Sequence, residues 1–310
     1  MDIAKKEKKA LMIAMGLCLL LVITGNRAVA QQQSFSYAQY MDNLTPHNPA
    51  YSLLDKAGSI NTLASKQLVG IDGAPTTFLL NANLPIDAIN GAVGLIVFND
   101  KVAIENETEF NAYFAKAIQV GSNGFLAVSL NAGLRDYVAN YSQLAADDPT
   151  FRTDVRQVKP NVGFGVMYYT DRFYLGLSVP ELTITSLGTA SVQNNTNFRN
   201  NYYFAGALLT DVSEDIKFKP ATLVSYTKGV PVIADFSGTF YLKETLGLGL
   251  NYRTNKQAAG IITINVDSFH IGYSYQFGTS SANLGGFNNA TNEVTLGYRF
   301  GKASGNPKLL

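Results

Sequence analysis

The sequence is poor in the side chains that most often carry chemistry. It has one cysteine, Cys18, two histidines and no tryptophan among 310 residues. Cys18 lies in a leader expected to be removed, so we expect no disulfide and no thiol chemistry in the mature protein. With so few histidines and no other cysteine, common soft-metal sites are excluded. We therefore expect no catalytic residue, no bound metal and no cofactor. The formal net charge of +1 gives no indication of nucleic-acid binding.

The first 30 residues have the pattern of a secretory signal peptide. Their apolar run is about 15 residues long, whereas a membrane-spanning helix needs about 20. We therefore expect cleavage and export, and no helical anchor. The elements of this pattern are the charged residues Lys5, Lys6, Lys8 and Lys9, the apolar residues 10–24, and the small-residue cleavage site Ala28-Val29-Ala30.

The remaining chain has no stretch apolar enough for a membrane helix, and it is divided into short segments of alternating polarity. In residues 246–253, leucines and a tyrosine alternate with glycines, Asn251 and Arg253, as in a strand with two different faces. About 14 such segments are present. The predicted strands are 59–68, 76–86, 90–99, 107–119, 125–137, 159–169, 172–180, 200–210, 216–227, 231–242, 245–253, 258–266, 268–278 and 293–300.

Three segments do not alternate cleanly, namely 90–99, 107–119 and 200–210. In the second of these, Lys116 falls on the same face as the phenylalanines, which a membrane barrel tolerates where the lysine reaches the interface near a rim. Where the alternation is clean, glycine-rich polar faces oppose bulky apolar faces. This contrast predicts a wide, water-filled lumen enclosed by a lipid-facing wall.

The connections between predicted strands favour a closed barrel. Short links such as 170–171 alternate with the long links 138–158, 181–199 and 279–292. Outer-membrane barrels place short turns at the periplasmic rim and long loops outside the cell, and both chain ends at the short-turn side. We therefore predict an all-β protein, a transmembrane antiparallel barrel of about 14 strands of the outer-membrane type. A soluble β-sandwich adhesin is the alternative fold.

This fold implies four regions and an outer-membrane location. Residues 1–30 are the signal peptide, 31–58 a periplasmic lead-in or lumen segment, 59–300 the barrel, and 301–310 a short tail. The lipid of the outer membrane is then one partner of the chain.

Several motifs resemble the PorP/SprF family of outer-membrane proteins of the Bacteroidetes type IX secretion system. They occur in family order over nearly the whole mature chain. The chain departs from the family at His47, where tyrosine is usual, at Leu68, where tryptophan is usual, and in the tail after Phe300. The matching motifs are SYAQYM at 36–41, HNPAY at 47–51, KQLVGIDGAPTT at 66–77, FNDK at 98–101, PNVGFG at 160–165, YLGLSVP at 174–180 and YRF at 298–300.

The resemblance implies a barrel that serves protein secretion or gliding motility by binding other proteins. Its partners are expected to be periplasmic components of the type IX machinery, or a secreted cell-surface cargo such as an adhesin. The alternative function is a channel for small or hydrophobic solutes, similar to porins or long-chain fatty-acid transporters.

Candidate partner-binding residues precede the first predicted strand, on the expected periplasmic side. An aromatic and proline cluster offers rigid contact area at low entropic cost. The alternative is that the same residues pack inside the lumen. The candidates are Gln39, Tyr40, Asn48, Pro49 and Tyr51.

Two further sets of residues stand out. Gly70, Asp72, Gly73 and Pro75 predict a tight, rigid hairpin tip, because the Asp-Gly pair favours positive φ and proline lacks a ladder donor. The second set is charged and falls on the predicted lumen face with mixed signs, so no single selectivity ring emerges. Its members are Glu109, Arg135, Lys217, Lys219, Asp235, Arg253 and Arg299.

Overall fold

The computed structural model describes residues 36–143, 153–184, 199–279, 290–301 and 309–310. The expected signal peptide lies outside these residues, as do most of the three long loops. The strands are β1 (Gly58–Gln67), β2 (Thr76–Ile86), β3 (Gly91–Val102), β4 (Glu105–Val120), β5 (Gly124–Ala139), β6 (Val155–Tyr169), β7 (Phe173–Thr183), β8 (Asn201–Leu208), β9 (Thr210–Asp211), β10 (Ile216–Thr227), β11 (Ile233–Leu242), β12 (Leu246–Arg253), β13 (Gln257–Val266), β14 (Phe269–Gly278) and β15 (Thr291–Phe300).

The strands form one closed antiparallel sheet. Each pairs with its neighbours in the chain, and β15 pairs with β1 from Gly58↔Phe300 to Gln67↔Thr291. β8 and β9 are separated by Leu209 and both pair with β10, so they form a single strand of the wall. Fifteen segments thus make fourteen wall strands, and the predicted barrel is confirmed. Closure leaves no sheet edge, which a strand in lipid requires.

The outer face of the wall is apolar and the inner face is polar or small. On β12, Leu250 is 72% exposed on the outside, whereas the next residue, Asn251, is 3% exposed on the inside. The strands with irregular patterns follow the same rule. On β4, Phe110 and Phe114 point outward and Glu109 inward. Lys116 also points outward, four residues before β4 ends, where its ammonium can reach the interface.

The links sort by length, although less completely than predicted. The six links at the rim where β15 ends, hereafter the near rim, contain two to four residues each. The opposite, far rim carries the longer links 68–75, 140–154, 184–200 and 279–290. It also carries the five-residue link 228–232 and two short ones, 103–104 and 254–256. The far rim is therefore where large loops are attached.

A bulge in β7 redirects two side chains. The register of β6 and β7 shifts between Val162 and Phe164, so β7 carries an extra residue beside Pro180. The shift changes which side chains face inward. Thr183 accepts a hydrogen bond from Arg135 (3.1 Å), and Glu181 lies 3.7 Å from the same guanidinium.

In the described part of the chain, helical structure is limited to three 3₁₀ turns, Pro49–Leu53, Asp87–Ile89 and Tyr141–Gln143. No helix there has the length and apolar character needed to cross a bilayer.

Candidate functional site: a segment that fills the lumen

Residues 36–57, hereafter the lumen segment, lie inside the barrel. Tyr40, Met41 and Leu44 are each 0% exposed, and they join one apolar cluster with inward-facing wall residues such as Leu79 and Leu223. The wide, water-filled lumen predicted from the glycine-rich faces is therefore wrong. The barrel has instead a packed interior made by its own N-terminal residues.

The lumen segment runs the length of the barrel. At its start, the Ser36 hydroxyl accepts a hydrogen bond from Arg253 (2.7 Å), the last residue of β12 at the far rim. At its end, Asp55 accepts two hydrogen bonds from Arg299 (2.5 and 2.6 Å), beside the end of β15 at the near rim. The chain then enters β1 at Gly58.

Polar side chains fix the first half of the lumen segment to β14 and β15. The backbone N–H of Ala38 donates to Glu293 (2.9 Å), and the Gln39 side chain accepts from Thr295 (2.8 Å). Two strands further along the same part of the wall, Asn43 donates to Asn81 of β2 (2.7 Å). Because buried polar groups are costly when unpaired, these bonds select one register of the segment in the lumen.

Asn48 organises the second half. Its side-chain oxygen accepts from the Ala50 N–H (3.1 Å) and so caps the 3₁₀ turn Pro49–Leu53, while Pro49 occupies the first turn position. Its side-chain nitrogen donates to the carbonyls of Val166 and Leu177 on β6 and β7 (3.2 and 3.3 Å). One side chain thus both starts the turn and attaches it to the wall.

Glycines on the inner wall make room for these side chains. A Cβ at Gly165 would overlap the Asn48 side-chain oxygen, and one at Gly272 would overlap the Gln39 side-chain oxygen. The glycine-rich inner faces therefore allow close approach of the lumen segment to the wall.

Aromatic rings surround His47. Its ring stacks on Tyr37 (centroids 5.1 Å apart, planes at 18°) and contacts Tyr203 of β8 (4.6 Å). Burial lowers the pKa of His47 to about 3, and the positive charge of Arg253 acts in the same direction. His47 is therefore neutral at physiological pH.

Opposite charges join the lumen segment to the wall. The Lys219 ammonium donates to the Met41 carbonyl (2.6 Å) and lies 3.7 Å from Asp42, which also accepts from the Tyr241 hydroxyl (2.8 Å). The Arg299 and Asp55 pair forms the second such link. The Lys219 and Asp42 pair is shielded from water, so removing one partner leaves the other charge buried without a counter-charge, whereas Asp55 of the second pair is partly exposed.

The other predicted lumen charges pair within the wall. Arg253 contacts Asp235 (2.8 Å) and Arg135 contacts Glu109 (2.7 Å), and all four are buried. Lys217 is half-buried near the near rim and contacts Glu244 (2.5 Å). The structure therefore distributes the seven predicted charges over separate ion pairs at different heights.

The structure places the five predicted partner-binding residues in the lumen. Gln39, Tyr40, Asn48 and Pro49 are buried and Tyr51 is half-buried, packed edge-on against Tyr174 (5.5 Å). This placement agrees with the alternative stated above, in which these residues pack inside the lumen. Their binding of a partner stays a prediction, and it requires the segment to move.

The hairpin tip lies at the far rim, apart from the lumen segment. Gly70 and Gly73 have positive φ (97° and 72°), Asp72 is exposed, and Pro75 accepts a hydrogen bond from Gln67 (3.0 Å). The Gly73 carbonyl accepts from Ala103 in the β3–β4 link (2.9 Å). The tip is therefore supported by the neighbouring hairpin.

Sequence reasoning missed several residues that hold the lumen segment, among them Asp42, Asp55, Tyr241 and Glu293. Asp42 and Asp55 carry no local motif, and Tyr241 and Glu293 lie on strands distant in sequence. For Tyr241 and Glu293, the only available signal was their position on the inward-facing side of an alternating strand. Among the described residues, no cluster of three or more histidine, cysteine or acidic side chains is placed to hold a metal.

A family model described as the Type IX secretion system membrane protein PorP/SprF matches residues 29–298. The chain belongs to the PorP/SprF family. The matched range includes the lumen segment and all but the last residues of β15. The packed interior is therefore built from sequence that the PorP/SprF model covers.

Solved barrels resemble this PorP/SprF protein only in fold. The toluene transporter TbuX of Ralstonia pickettii has 10% identity over 86% of this chain and 94% of that chain (TM-score 0.48). The outer membrane protein Omp33 of Acinetobacter baumannii has 8% identity over 80% and 99% (TM-score 0.46). The P. putida toluene transporter TodX has 9% over 86% and 95% (TM-score 0.45). No curated protein matches the sequence.

Proposed function

We propose that this PorP/SprF protein is an outer-membrane component of the type IX secretion or gliding machinery that acts by binding other proteins. Its partners are periplasmic machinery at the near rim, or secreted adhesin-type cargo. The observation that carries this proposal is the lumen segment, which occupies the barrel from Ser36 at the far rim to Asp55 at the near rim.

A filled lumen supports protein binding over solute conduction. A channel needs a continuous path of water or of weak sites through the wall. Here the path is occupied by buried side chains such as Tyr40 and Met41. The Tyr40 hydroxyl is bonded to Ser237 of β11, and the Met41 carbonyl accepts from Lys219 of the neighbouring strand β10. A barrel with this interior offers a rigid frame whose rims present turns and loops to other proteins.

The outer face supports the membrane location. It is apolar along the strands, and Tyr252, Phe277 and Tyr298 lie near strand ends as in an interfacial girdle. The near rim with its short turns then faces the periplasm, and export follows from the expected signal peptide.

The proposal is tested by crosslinking from both rims in the native membrane. A photoreactive amino acid replaces Ser213 in a near-rim turn or Asp72 at the far-rim tip, both exposed. Illumination followed by mass spectrometry should recover a secretion component from position 213, or a cargo protein from position 72. The same group at Leu250, on the lipid-facing wall, is the matched control and should give no protein adduct.

The contrary result is equally specific. If neither rim yields a protein adduct and the wild-type barrel conducts steadily in planar bilayers, the channel alternative replaces this proposal.

A further inference from the structure

A cavity opens at the near rim, between the lumen segment and the wall. It contains about 930 Å³ of empty space, part of it open solvent. Tyr51 and Leu54 of the lumen segment form one side, and His270 and Arg299 of the wall form the other. This cavity borders the place where the lumen segment leaves the barrel for β1.

Leu309 and Leu310 pack at this cavity and form part of its wall. Leu309 and Leu310 line it and are only 7% and 6% exposed, and Leu310 belongs to the same apolar cluster as Leu53 and Leu54. They are the only large apolar side chains after Phe300, in a tail otherwise composed of glycine, lysine, alanine, serine, asparagine and proline. Burying two leucine side chains removes apolar surface from water and so favours this position of the tail.

The polar lining of the cavity is compatible with a peptide. The charges on its walls balance, since Asp55 pairs with Arg299 and Asp42 with Lys219. Buried His270 Nε2 and Asp42 Oδ2 have no hydrogen-bond partner within the described part of the chain. A charge-balanced site that combines apolar contacts with unused polar atoms suits apolar side chains on a polypeptide segment better than an ion.

We propose that the near-rim cavity is a docking site for the tail that follows β15, and that the Leu309 and Leu310 side chains are the recognised groups. Because Tyr51 and Leu54 share the cavity with them, the docked leucines brace the lumen segment where it leaves the barrel. This inference does not depend on the proposed function, since it concerns a contact within the chain.

A synthetic peptide tests the site directly. The probe is a fluorescein-labelled peptide of residues 305–310, GNPKLL, titrated with purified barrel in detergent and followed by anisotropy. A protein that ends at Gly301 should bind the peptide. The full-length protein should bind it at least about tenfold more weakly, because the tethered tail competes at an effective concentration in the millimolar range. The matched control peptide carries Leu309→Ser and Leu310→Ser and should not bind.

Two results would overturn the proposal. One is absence of binding to a truncated barrel that still shows the heat-modifiable migration of a folded protein. The other is equal binding of the leucine and serine peptides, which would indicate adsorption to the micelle. If the truncated protein does not fold, the full-length variant with Leu309→Ser and Leu310→Ser replaces it, with the same outcomes.

The bracing effect has its own measurement. Amide hydrogen exchange in residues 49–57 should be faster in the full-length Leu309→Ser, Leu310→Ser variant than in wild type, whereas exchange in residues 36–38, which do not line the cavity, should not change. Equal rates in residues 49–57 would show that the tail does not brace the segment.

Discussion

At the scale of single residues, Lys219 shows how the lumen uses charge. The side chain is 1% exposed, and its ammonium contacts the lumen segment through both the Met41 carbonyl and Asp42. Lys217 lies two residues away on the same strand face, but its partner Glu244 is at the half-exposed near rim. The same residue type therefore serves the interior at one position and the rim at the other.

Replacing Lys219 by methionine should loosen the lumen segment, because Asp42 would remain buried without a counter-charge. Breaking such a pair typically costs about 3–5 kcal/mol. The matched change Lys217→Met should cost less than about 1 kcal/mol, because that pair is partly solvated. Hydrogen exchange of residues 36–48 measures both. Equal protection in the two variants would contradict the role given to Lys219.

His47 predicts that acid weakens docking of the lumen segment. The docked pKa of about 3 lies below the ordinary value of 6.5. As the pH falls below 6.5, His47 of the undocked segment becomes protonated, whereas His47 of the docked segment stays neutral. The free energy that favours docking therefore decreases until about pH 3, where the docked histidine is protonated as well. Tyr37, Tyr203 and Arg253 face the ring, and none of them supplies a negative charge.

Protonation of His47 in the undocked segment should weaken docking of the lumen segment by about 2 kcal/mol at pH 5. Planar-bilayer recordings should then show more frequent openings of the wild-type barrel at pH 5 than at pH 7. The variant His47→Phe keeps an aromatic ring between the tyrosines but cannot be protonated, so its openings should not depend on pH over this range. Persistence of the pH effect in that variant would assign it to another group.

At the scale of elements, each strand of the wall has an apolar face toward the outside and a polar or small face toward the interior. Leu250 lies midway along β12 and Leu242 ends β11 at the near rim, and both point outward. Leu250→Arg should cost about 2–4 kcal/mol, and Leu242→Arg about 0–1 kcal/mol, because the penalty for arginine on the lipid face falls from midplane to interface. Reversible urea titration of folding into lipid vesicles provides the free energies. Equal costs would mean that the wall does not span a bilayer at this height.

The strands could be predicted from the sequence because each one carries its own signal. Period-two alternation located every wall strand, with most boundaries within two residues, and even the irregular segment 107–119 was assigned correctly. The β7 bulge was missed, because Pro180 reads as a strand end in isolation. Its effect on Glu181 appears only when β6 lies alongside.

At the scale of the whole molecule, the orientation of the barrel can be checked with single cysteines. The only native cysteine is Cys18, in the expected signal peptide. Gln143 at the far rim and Ser213 at the near rim are both exposed. In whole cells an impermeant maleimide should label a cysteine at 143 and not one at 213. The reverse pattern would invert the topology.

The filled interior is where sequence reasoning failed, and the reason is physical. Glycine on an inner face has two opposite meanings, an empty lumen or close approach of another chain segment. Nothing local to Gly165 or Gly272 distinguishes them, because Asn48 and Gln39 lie far away in sequence. The five candidate residues before β1 were predicted to bind a partner, which stays a prediction. Their position inside the lumen depends on the closed barrel, which no local pattern encodes.

The enclosed segment also constrains the order of assembly. Ala38 is bonded to Glu293, 255 positions later, on the strand that completes the ring. Contacts so remote in sequence form late, because a large loop must close first. Ala38 and its neighbours are synthesised before every strand of the barrel, yet they can bond to Glu293 only after β15 has joined the sheet. Ring closure and filling of the interior are one event, so a slow last step of biogenesis should depend on residues that never touch lipid.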